Sequence, residues 1–364
     1  MLDGRLEDLI LHPPKGSNLP SAGDICVVRV TRKLPKSGAF CEMAGGGEGY
    51  LRDAKSVRQG EHILTQVVSL PEPGKAVTLT TRLLIKGPRL ILTPGARGIN
   101  VSRKIGNSSE RERLEETVRA ARAANRCTPN LDAMGVIIRT AARDEGAIEL
   151  AREYDCLVST WSRHMALLRD HNAVKSDEKH APLDYALREW LFPRPNAILC
   201  GPGLARSLSY SDDIGPPAFF GDGSYIRLIE TTNEPFSAAG VHEAIDALKL
   251  PVISLGSASM SVESTRALVA IDVNTHADFS PAAGLKANLD AATELPRQLR
   301  LRGLGGQIAV DFAAMPKQQR RTLEEALKKA FRHDWVETSL VGWTGLGLYE
   351  LQRKRERRPL TEVL

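Results

Sequence analysis

Two short apolar runs in the last third of the chain each end in an aspartate. Residues 268–271 precede Asp272 and residues 308–310 precede Asp311, and each run has the length of a buried strand. Between them, apolar residues recur every three or four positions, as on one face of a helix. These are Leu285, Leu289, Ala292, Leu295 and Leu299. The pattern predicts a strand, a helix and a second strand. If the strands are parallel neighbours, the right-handed crossover brings both aspartates to one edge of a sheet.

A pair of carboxylates at a sheet edge suits a divalent cation. Mg²⁺ prefers oxygen ligands, binds through one or two carboxylates and completes its shell with water and substrate phosphate. Asn274 lies two residues after Asp272, so strand alternation points both side chains to the same side. A metal held there could lower the pKa of a bound water and neutralise charge on a phosphodiester. Spacing alone leaves a second interpretation open, in which each aspartate only caps the turn after its strand.

Three arginines lie at the end of the same predicted helix. Arg297, Arg300 and Arg302 could bind phosphates, or they could form a solvated face. Pro296 removes a backbone hydrogen bond from the helix and predicts a bend before Arg297. Glycines at positions 303, 305 and 306 predict that the helix ends there. A basic segment at residues 353–358 leaves the same two interpretations, a phosphate-binding tail or a solvated one.

The composition is that of an ordinary soluble globular protein. The 364 residues are enough for two or three domains, with 26% charged and 42% hydrophobic residues. The net charge of +5 tilts towards a polyanionic partner without requiring one. No apolar run approaches the ~18 residues that would suggest a membrane span, and the first residues show no signal-peptide pattern. We therefore expect a cytoplasmic protein with no membrane span.

Cysteine spacing argues against disulfide frameworks and zinc sites. Five cysteines are scattered without a Cys-x-x-Cys pair, at positions 26, 41, 127, 156 and 200. We predict that they are buried, reduced thiols. The chain also has no Gly-x-x-x-x-Gly-Lys-Ser/Thr loop and no Gly-x-Ser-x-Gly elbow, which argues against the nucleotide-hydrolysing and serine-hydrolase classes that carry them.

Five short β-rich runs, separated by Gly and Pro turns, lie between residues 24 and 83. They predict a small β-barrel of the OB type, a fold that binds single-stranded nucleic acid through aromatic and cationic side chains. Phe40 and Tyr50 lie on adjacent predicted strands, and with Lys75 they are the candidate contacts. Core packing is the alternative for a phenylalanine on a strand.

Residues 84–170 mix helix and strand patterns. A capping box at 109–112 predicts a helix to about Asn125, and an apolar stripe predicts another from about 147 to 168. Between them, a strand pattern ends in Arg139 and Thr140. A guanidinium and a hydroxyl could hold a terminal phosphate, although an exposed arginine is the simpler interpretation. Residues 171–182 are polar and predict a linker, which helical and strand patterns follow as far as Lys249.

Several of these segments resemble the ribonuclease E/G family. Residues 264–274, 288–292, 297–306 and 308–312 are similar, in this order, to the catalytic segment of that family. The resemblance implies that Asp272 and Asp311 hold a catalytic Mg²⁺ and that Asn274 supports one of them. It also assigns RNA contacts to the barrel and a pocket for an RNA 5′-monophosphate to the segment that follows it. The barrel contacts would be Phe40, Tyr50 and Lys75, and the pocket residues Gly87, Ile91, Arg139 and Thr140.

The resemblance further implies a multidomain α/β fold. An OB-type RNA-binding barrel at 22–83 would be inserted in a ribonuclease H-like scaffold made of residues 1–20 and 161–250. A 5′-phosphate sensor would follow at 84–160, and a DNase I-like catalytic domain at 251–364. We expect a short form of the family without the cysteines of its zinc link, so that a homodimer, if formed, would use other surfaces. Glu337 stands near the position of a further pocket arginine of the family, and the barrel is shorter than usual.

These features predict a Mg²⁺-dependent endoribonuclease that cuts single-stranded RNA in RNA processing or decay, with stimulation by a 5′-monophosphate left open. An RNA-binding regulatory protein with weak or lost catalysis is the alternative, favoured by the short barrel and by Glu337. A phosphatase acting on small phosphate esters would fit the aspartates but would leave the barrel unexplained.

Overall fold

The computed structural model describes most of the chain as two compact units. The described residues are 1–11, 20–35, 38–71, 74–125, 134–170, 189, 196–201, 227–230, 234–276, 280–332 and 334–362. One unit combines Met1–Ala22 with Phe236–Leu364, and the other is Gly23–Pro235. We call them the discontinuous unit and the continuous unit.

A closed five-stranded barrel begins the continuous unit. Its strands are β1 (Ile25–Lys33), β2 (Ala39–Glu42), β3 (Glu48–Leu51), β4 (His62–Ser69) and β5 (Val77–Thr80). They close in the order β1-β2-β3-β5-β4, with β3 and β5 parallel and the other pairs antiparallel. The predicted five-stranded barrel is thereby confirmed, and its order is consistent with an OB-like domain. Gly49 is needed inside it, because a Cβ there would lie 2.3 Å from Cδ1 of Leu79.

A second sheet with two helices packs onto the barrel in the same unit. Its strands are β6 (Ile85–Lys86), β7 (Leu90–Thr93), β8 (Ile99–Val101) and β9 (Gly135–Ile138), in the order β6-β7-β9-β8. The helices are α1 (Ser108–Ala124) and α2 (Ala147–Arg169). Leu90, Leu114 and Leu157 share one core with Ile25 and Val27 of β1. Barrel and second sheet are therefore joined by apolar packing.

The start of α1 differs from the prediction. Asn107, and not Ser109, is the N-cap: the Asn107 side chain accepts a hydrogen bond from the Ser109 backbone amide at 3.0 Å. The helix therefore begins at Ser108, and the capping box predicted from Ser109 is wrong. The end was predicted correctly, since Asn125 is the C-cap.

The rest of the continuous unit is described only in part. The parallel strands β10 (Ala197–Cys200) and β11 (Arg227–Glu230) pair with each other. The predicted linker at 171–182 lies outside the described residues, as does the pattern at 183–191 apart from Glu189. The division of the chain into four domains therefore stays a prediction.

The discontinuous unit contains a six-stranded mixed sheet. Its strands are β12 (Val252–Ser254), β13 (Ser259–Ser264), β14 (Val269–Asn274), β15 (Gly306–Asp311), β16 (Thr338–Trp343) and β17 (Tyr349–Arg353). They run in the order β12-β13-β14-β15-β17-β16, with β14 and β15 parallel and the other pairs antiparallel. The helices of this unit are α3 (Pro235–Ala238, whose first residue belongs to the other unit), α4 (Val241–Leu248), α5 (Pro281–Leu301) and α6 (Arg320–Phe331).

Helix α5 connects the two parallel strands, as predicted. Ala292, Leu295 and Leu299 are buried in the core of the sheet. The helix continues through Pro296 as far as Leu301, so the proline does not end it. Gly303 follows with a φ of 65° and packs so closely on the Arg358 carbonyl that a Cβ would be 1.9 Å from its oxygen.

The first residues pack against distant parts of the same unit. Leu6 is buried in a small core with Val241, Leu248, Leu301 and Leu360. The partners of this first segment are therefore more than 200 residues away in the sequence. Within the described residues, none of the helices is both long and apolar enough to cross a lipid bilayer.

Two of the five cysteines are buried free thiols in the barrel. Burial raises the pKa of Cys26 and of Cys41 to about 11 in each case, so both remain protonated at neutral pH. Cys156 is a half-buried free thiol. Cys127 and the side chain of Cys200 lie outside the described residues.

Candidate active site

Asp272 and Asp311 are direct neighbours across the pair of parallel strands. The register of β14 and β15 aligns Asp272 with Asp311, so both carboxylates lie at the same edge of the sheet. Both side chains are exposed. Asn274 is also exposed on β14, and its amide group donates a short hydrogen bond to Oδ2 of Asp272. The structure therefore brings together the three residues that the sequence singled out.

Strand alternation decides which side chains reach this site. Ile271 and Val273 of β14, and Val310 of β15, are buried against the core beneath α5 and α6. Asp272 and Asp311 therefore point away from that core. The sheet positions the carboxylates through the same alternation that builds its hydrophobic side.

The donor set fits Mg²⁺. Two exposed carboxylates are the usual protein share of a Mg²⁺ shell, which keeps several waters. Among the described residues, no third His, Cys, Asp or Glu joins them as in a zinc or calcium cage, and no cation lies at ion-pair distance from either aspartate. The Asn274 amide group is used on Asp272, which leaves its oxygen to face a ligand. Asp272 and Asp311 would hold the metal.

An aromatic cluster lies on the core side of the sheet, opposite the side to which Asp272 and Asp311 point. Phe312, Trp343 and Tyr349 have ring centroids 5.2 to 6.2 Å apart. The Arg320 guanidinium carbon lies 4.1 Å above the Trp343 ring, and the indole N–H donates to Glu324 at 2.9 Å. This cluster was not predicted from the sequence. Its one local signal is that Phe312 directly follows Asp311.

The three arginines at the end of α5 have structural roles. Arg297 donates to the Leu6 carbonyl at 2.8 Å, and Arg300 lies 3.5 Å from the buried Asp334 carboxylate. Arg302 is buried and donates to the Leu248 and Leu250 carbonyls, and its burial lowers its pKa. Neither predicted interpretation is right, because these side chains tie the helix to the surrounding chain.

The basic segment at 353–358 is largely tied down as well. Arg353 is buried beside Asp334, at 3.0 Å, and burial lowers the Arg353 pKa while Asp334 opposes that shift. Arg357 pairs with Asp8, and Arg358 donates to the Pro20 carbonyl at 2.7 Å. The segment is therefore not the free basic tail that its composition suggested.

The two barrel aromatics are neighbours on adjacent strands. Phe40 of β2 and Tyr50 of β3 are register partners, and their ring centroids are 5.6 Å apart. Both are partly exposed, and the guanidinium carbon of Arg32 lies 4.8 Å from the centre of the Phe40 ring. Lys75 is exposed in the segment between β4 and β5. Arg32 was not among the cations predicted for this surface.

The predicted phosphate-pocket residues lie around the second sheet of the continuous unit. Arg139 follows β9 and donates to the Gly87 carbonyl at 2.7 Å, and its guanidinium is 3.6 Å from the Glu189 carboxylate. Ile91 lies on β7, paired with Ile137 of β9. Thr140 shares a 2.9 Å hydrogen bond with Ser102 beyond β8. The structure joins Gly87 to Arg139 and places Thr140 directly after Arg139.

A buried ion-pair network lies behind this segment and was not predicted. Arg89 lies 3.2 Å from Glu145 and 3.3 Å from Glu153, with 1% of its side chain exposed. Glu153 accepts the backbone amides of Arg89 and Leu90, each at 2.8 Å. Burial raises the pKa of Glu153, against the opposing effects of Arg89 and these amides. A Cβ on Gly87 would lie 2.3 Å from Oε1 of Glu153, so this carboxylate sets the path of the turn that carries the Gly87 carbonyl.

Comparison with known proteins identifies relatives along most of the chain. The model of the ribonuclease E/G family matches residues 84–356. The chain is 31% identical over 319 residues to Ribonuclease G of Escherichia coli K12, covering 85% of this chain and 62% of that protein. It is 29% identical over 324 residues to Ribonuclease G of Haemophilus influenzae and 28% identical over 321 residues to Ribonuclease E of Synechocystis. The Haemophilus alignment covers 85% of this chain and 62% of that protein, and the Synechocystis alignment 83% and 45%.

The chain spans about three fifths of the length of the Ribonuclease G proteins it matches. The family match includes both strands that carry Asp272 and Asp311, together with Arg139 and its neighbours. The resemblance read from the sequence is confirmed: the chain belongs to the ribonuclease E/G family.

Proposed function

We propose that the protein is a Mg²⁺-dependent endoribonuclease that cuts single-stranded RNA in RNA processing or decay. The observation that supports this most directly is the alignment of Asp272 with Asp311 across two parallel strands, with both carboxylates exposed and no described cation paired with them. The names of the relatives, Ribonuclease G and Ribonuclease E, agree with this activity.

The residues of the edge have distinct roles in this proposal. Asp272 and Asp311 hold the metal, and Asn274 fixes the orientation of the Asp272 carboxylate through its hydrogen bond. A Mg²⁺ ion held by these residues would supply an activated water and would neutralise charge on the scissile phosphate. Hydrolysis of this kind leaves a 3′-hydroxyl and a 5′-phosphate.

The barrel provides the proposed grip on single-stranded RNA. Bases stack on exposed aromatic rings whatever their identity, because every base has a π face. Phe40 and Tyr50 offer two rings side by side, and Arg32 and Lys75 add positive charge. We assign residues 22–83 to this OB-type RNA-binding domain and residues 251–364 to a DNase I-like catalytic domain.

The segment at 84–160 is the proposed sensor of an RNA 5′-monophosphate. Its pocket would be formed by Gly87, Ile91, Arg139 and Thr140, with the guanidinium and the hydroxyl as phosphate donors. Residues 1–20 and 161–250 would form the ribonuclease H-like scaffold. A cytoplasmic location and assembly into a homodimer are further parts of the proposal.

The experiment that tests the proposal is cleavage of one short AU-rich single-stranded RNA, prepared with either a 5′-monophosphate or a 5′-hydroxyl. Each RNA is incubated with Mg²⁺ or with a chelator, and the 3′ ends of the products are identified. We expect internal cuts only with Mg²⁺, and faster cuts on the monophosphate. Equal rates would remove the sensor and keep the nuclease, whereas binding without cuts would favour the regulatory alternative.

A further inference from the structure

We propose that Asn288, a buried residue of α5, is a positioning residue that holds Asp311 in the orientation needed to bind Mg²⁺. The inference rests on the proposed function, because it takes Asp311 as a ligand of the metal. It deepens that function by assigning a role in metal binding to a side chain in the protein interior.

Asp311 is the last residue of β15, so its orientation depends on the chain that follows. Pairing of β15 with β17 ends at Val310, opposite Tyr349, and pairing with β14 ends at Asp311 itself, opposite Asp272. A strand end frays when its backbone has no further partner, and a displacement of about 1 Å in a catalytic site can cost about 100-fold in rate. A metal ligand at this position therefore needs a group that fixes the next residues.

The Asn288 side chain fixes them. Its Nδ2 donates to the Ala313 carbonyl at 2.9 Å, and its Oδ1 accepts from the Ala313 backbone amide at 2.9 Å. Nδ2 also lies 3.4 Å from the sulfur of Met315. The side chain thus pairs with both backbone groups of a residue two positions after Asp311, as a neighbouring strand would. Because Asn288 is 0% exposed, water cannot readily replace these bonds.

Helix α5 contacts the same segment one turn before Asn288. Gly284 lies so close to the Ala314 carbonyl that a Cβ there would be 2.2 Å from its oxygen. Glycine inside a helix is less favourable than alanine, so the close contact is a physical reason for its presence here. Two positions on one face of the helix therefore hold the chain directly after Asp311.

Gln298, a second buried amide on α5, has a different set of partners. Its amide group donates to Glu294 at 2.8 Å, and its oxygen accepts from Arg302 at 3.1 Å. These partners belong to α5 and its C-cap, and not to the segment after Asp311. Gln298 is therefore a matched control for Asn288, since it is a buried and bonded amide on the same helix.

The test measures metal binding without RNA. Mn²⁺ suits the same oxygen ligands as Mg²⁺, and its free ion is followed by electron paramagnetic resonance. The site is defined as the Mn²⁺ binding that Asp311→Asn removes. Asn288→Leu, which is similar in size and bonds neither group of Ala313, should weaken this binding about tenfold. Gln298→Met should change it less than twofold. Equal Mn²⁺ affinities in the two variants would overturn the proposal.

Two further readouts separate positioning from stability. Both substitutions should lower the thermal unfolding temperature, because each leaves buried polar groups without a partner. At limiting Mg²⁺, only Asn288→Leu should cleave the AU-rich RNA about tenfold more slowly than the parent protein, and excess Mg²⁺ should restore most of that rate. A loss of rate that excess Mg²⁺ leaves unchanged would contradict a role in metal binding.

A variant of Gly284 tests the same segment if Asn288→Leu does not fold. Gly284→Ala displaces the Ala314 carbonyl without removing a hydrogen-bonding group, and it should weaken Mn²⁺ binding severalfold. Lys286→Ala, at an exposed position of the same helix, should leave the binding unchanged. If Asp311→Asn removes no Mn²⁺ binding from the parent protein, the proposed metal site itself is refuted. If the parent protein binds Mn²⁺ there and Gly284→Ala and Asn288→Leu bind it equally well, only this inference is refuted.

Discussion

Acidic side chains serve opposite purposes in the two units. In the discontinuous unit, Asp272 and Asp311 lie exposed at the end of two strands, without a described cation beside them. In the continuous unit, Glu153 is fully buried and Glu145 nearly so, and both lie beside the buried Arg89. A buried carboxylate needs a partner, because desolvation is costly. The comparison teaches that an acid already neutralised by the protein serves structure, whereas one left open is available for chemistry.

The largest expected effect is on catalysis, at the exposed pair of Asp272 and Asp311. Asp272→Asn and Asp311→Asn should each lower the rate of RNA cleavage at least about 1,000-fold, because each removes a metal ligand and several kcal/mol of charge stabilisation. Stability should change by no more than about 0.5 kcal/mol, since both side chains are exposed. Asp290→Asn, an exposed aspartate on α5, is the matched control and should cleave normally. Cleavage at the wild-type rate by either variant would refute the metal assignment.

The next largest effect should be on stability, at the buried ion pair of Glu153 and Arg89. Glu153→Ala should lower the free energy of unfolding by about 3–5 kcal/mol, because it leaves Arg89 with one fewer partner in a buried site. Denaturant unfolding of the wild type and the variant measures it, with the exposed Glu112→Ala as control. A loss below about 1 kcal/mol would contradict a structural role for Glu153.

A smaller effect is expected on 5′-end preference, at Arg139 of the proposed phosphate pocket. Arg139→Ala should reduce the preference for 5′-monophosphate over 5′-hydroxyl RNA to about one, a loss of roughly tenfold if one charged hydrogen bond carries it. Cleavage of the 5′-hydroxyl RNA should stay unchanged. Arg103→Ala, a substitution of an exposed arginine in this unit, is the control and should keep the preference. A preference that survives in Arg139→Ala would separate the second sheet from 5′-end recognition.

The smallest effect concerns Glu110, an acid that is paired at the surface and partly exposed. Hydrogen bonds from Arg113 hold the pKa of Glu110 at about 2, below its usual value of 4.5. Because the folded state lowers this pKa, the stabilisation is present above about pH 4.5 and is lost as the pH falls towards 2. At this partly exposed surface pair, the stabilisation should not exceed about 1 kcal/mol. The difference in unfolding free energy between wild type and Glu110→Gln should shrink across this range, and a constant difference would contradict the pairing.

Local patterns were sufficient to predict the carboxylate edge. Strand length, the spacing of the apolar residues of α5 and the rule for right-handed crossovers together implied that Asp272 and Asp311 meet. The barrel strands were likewise marked by short β-rich runs between turns. In both cases the decisive information lies within a few residues of each element, which is why a sequence is enough.

Charge partners could not be predicted, because they are distant in sequence. Arg297 donates to a carbonyl 291 residues away, and Arg89 meets Glu153 from 64 residues away. An arginine on an amphipathic helix carries the same local pattern whether it faces solvent, phosphate or a buried carbonyl. The N-cap of α1 was predicted wrongly for another reason. Asn107 and Ser109 are both good caps, and only the folded turn selects between them.

The order of strands in the six-stranded sheet has a consequence during synthesis of the chain. Strand β17, at Tyr349–Arg353, lies between β15 and β16, so β15 can pair only with β14 until the ribosome has added those residues. The first residues, which pack through Leu6 against Leu301 and Leu360, wait equally long. Contacts between such distant segments form late. We therefore expect a nascent chain to complete its barrel well before the sheet that carries Asp272 and Asp311.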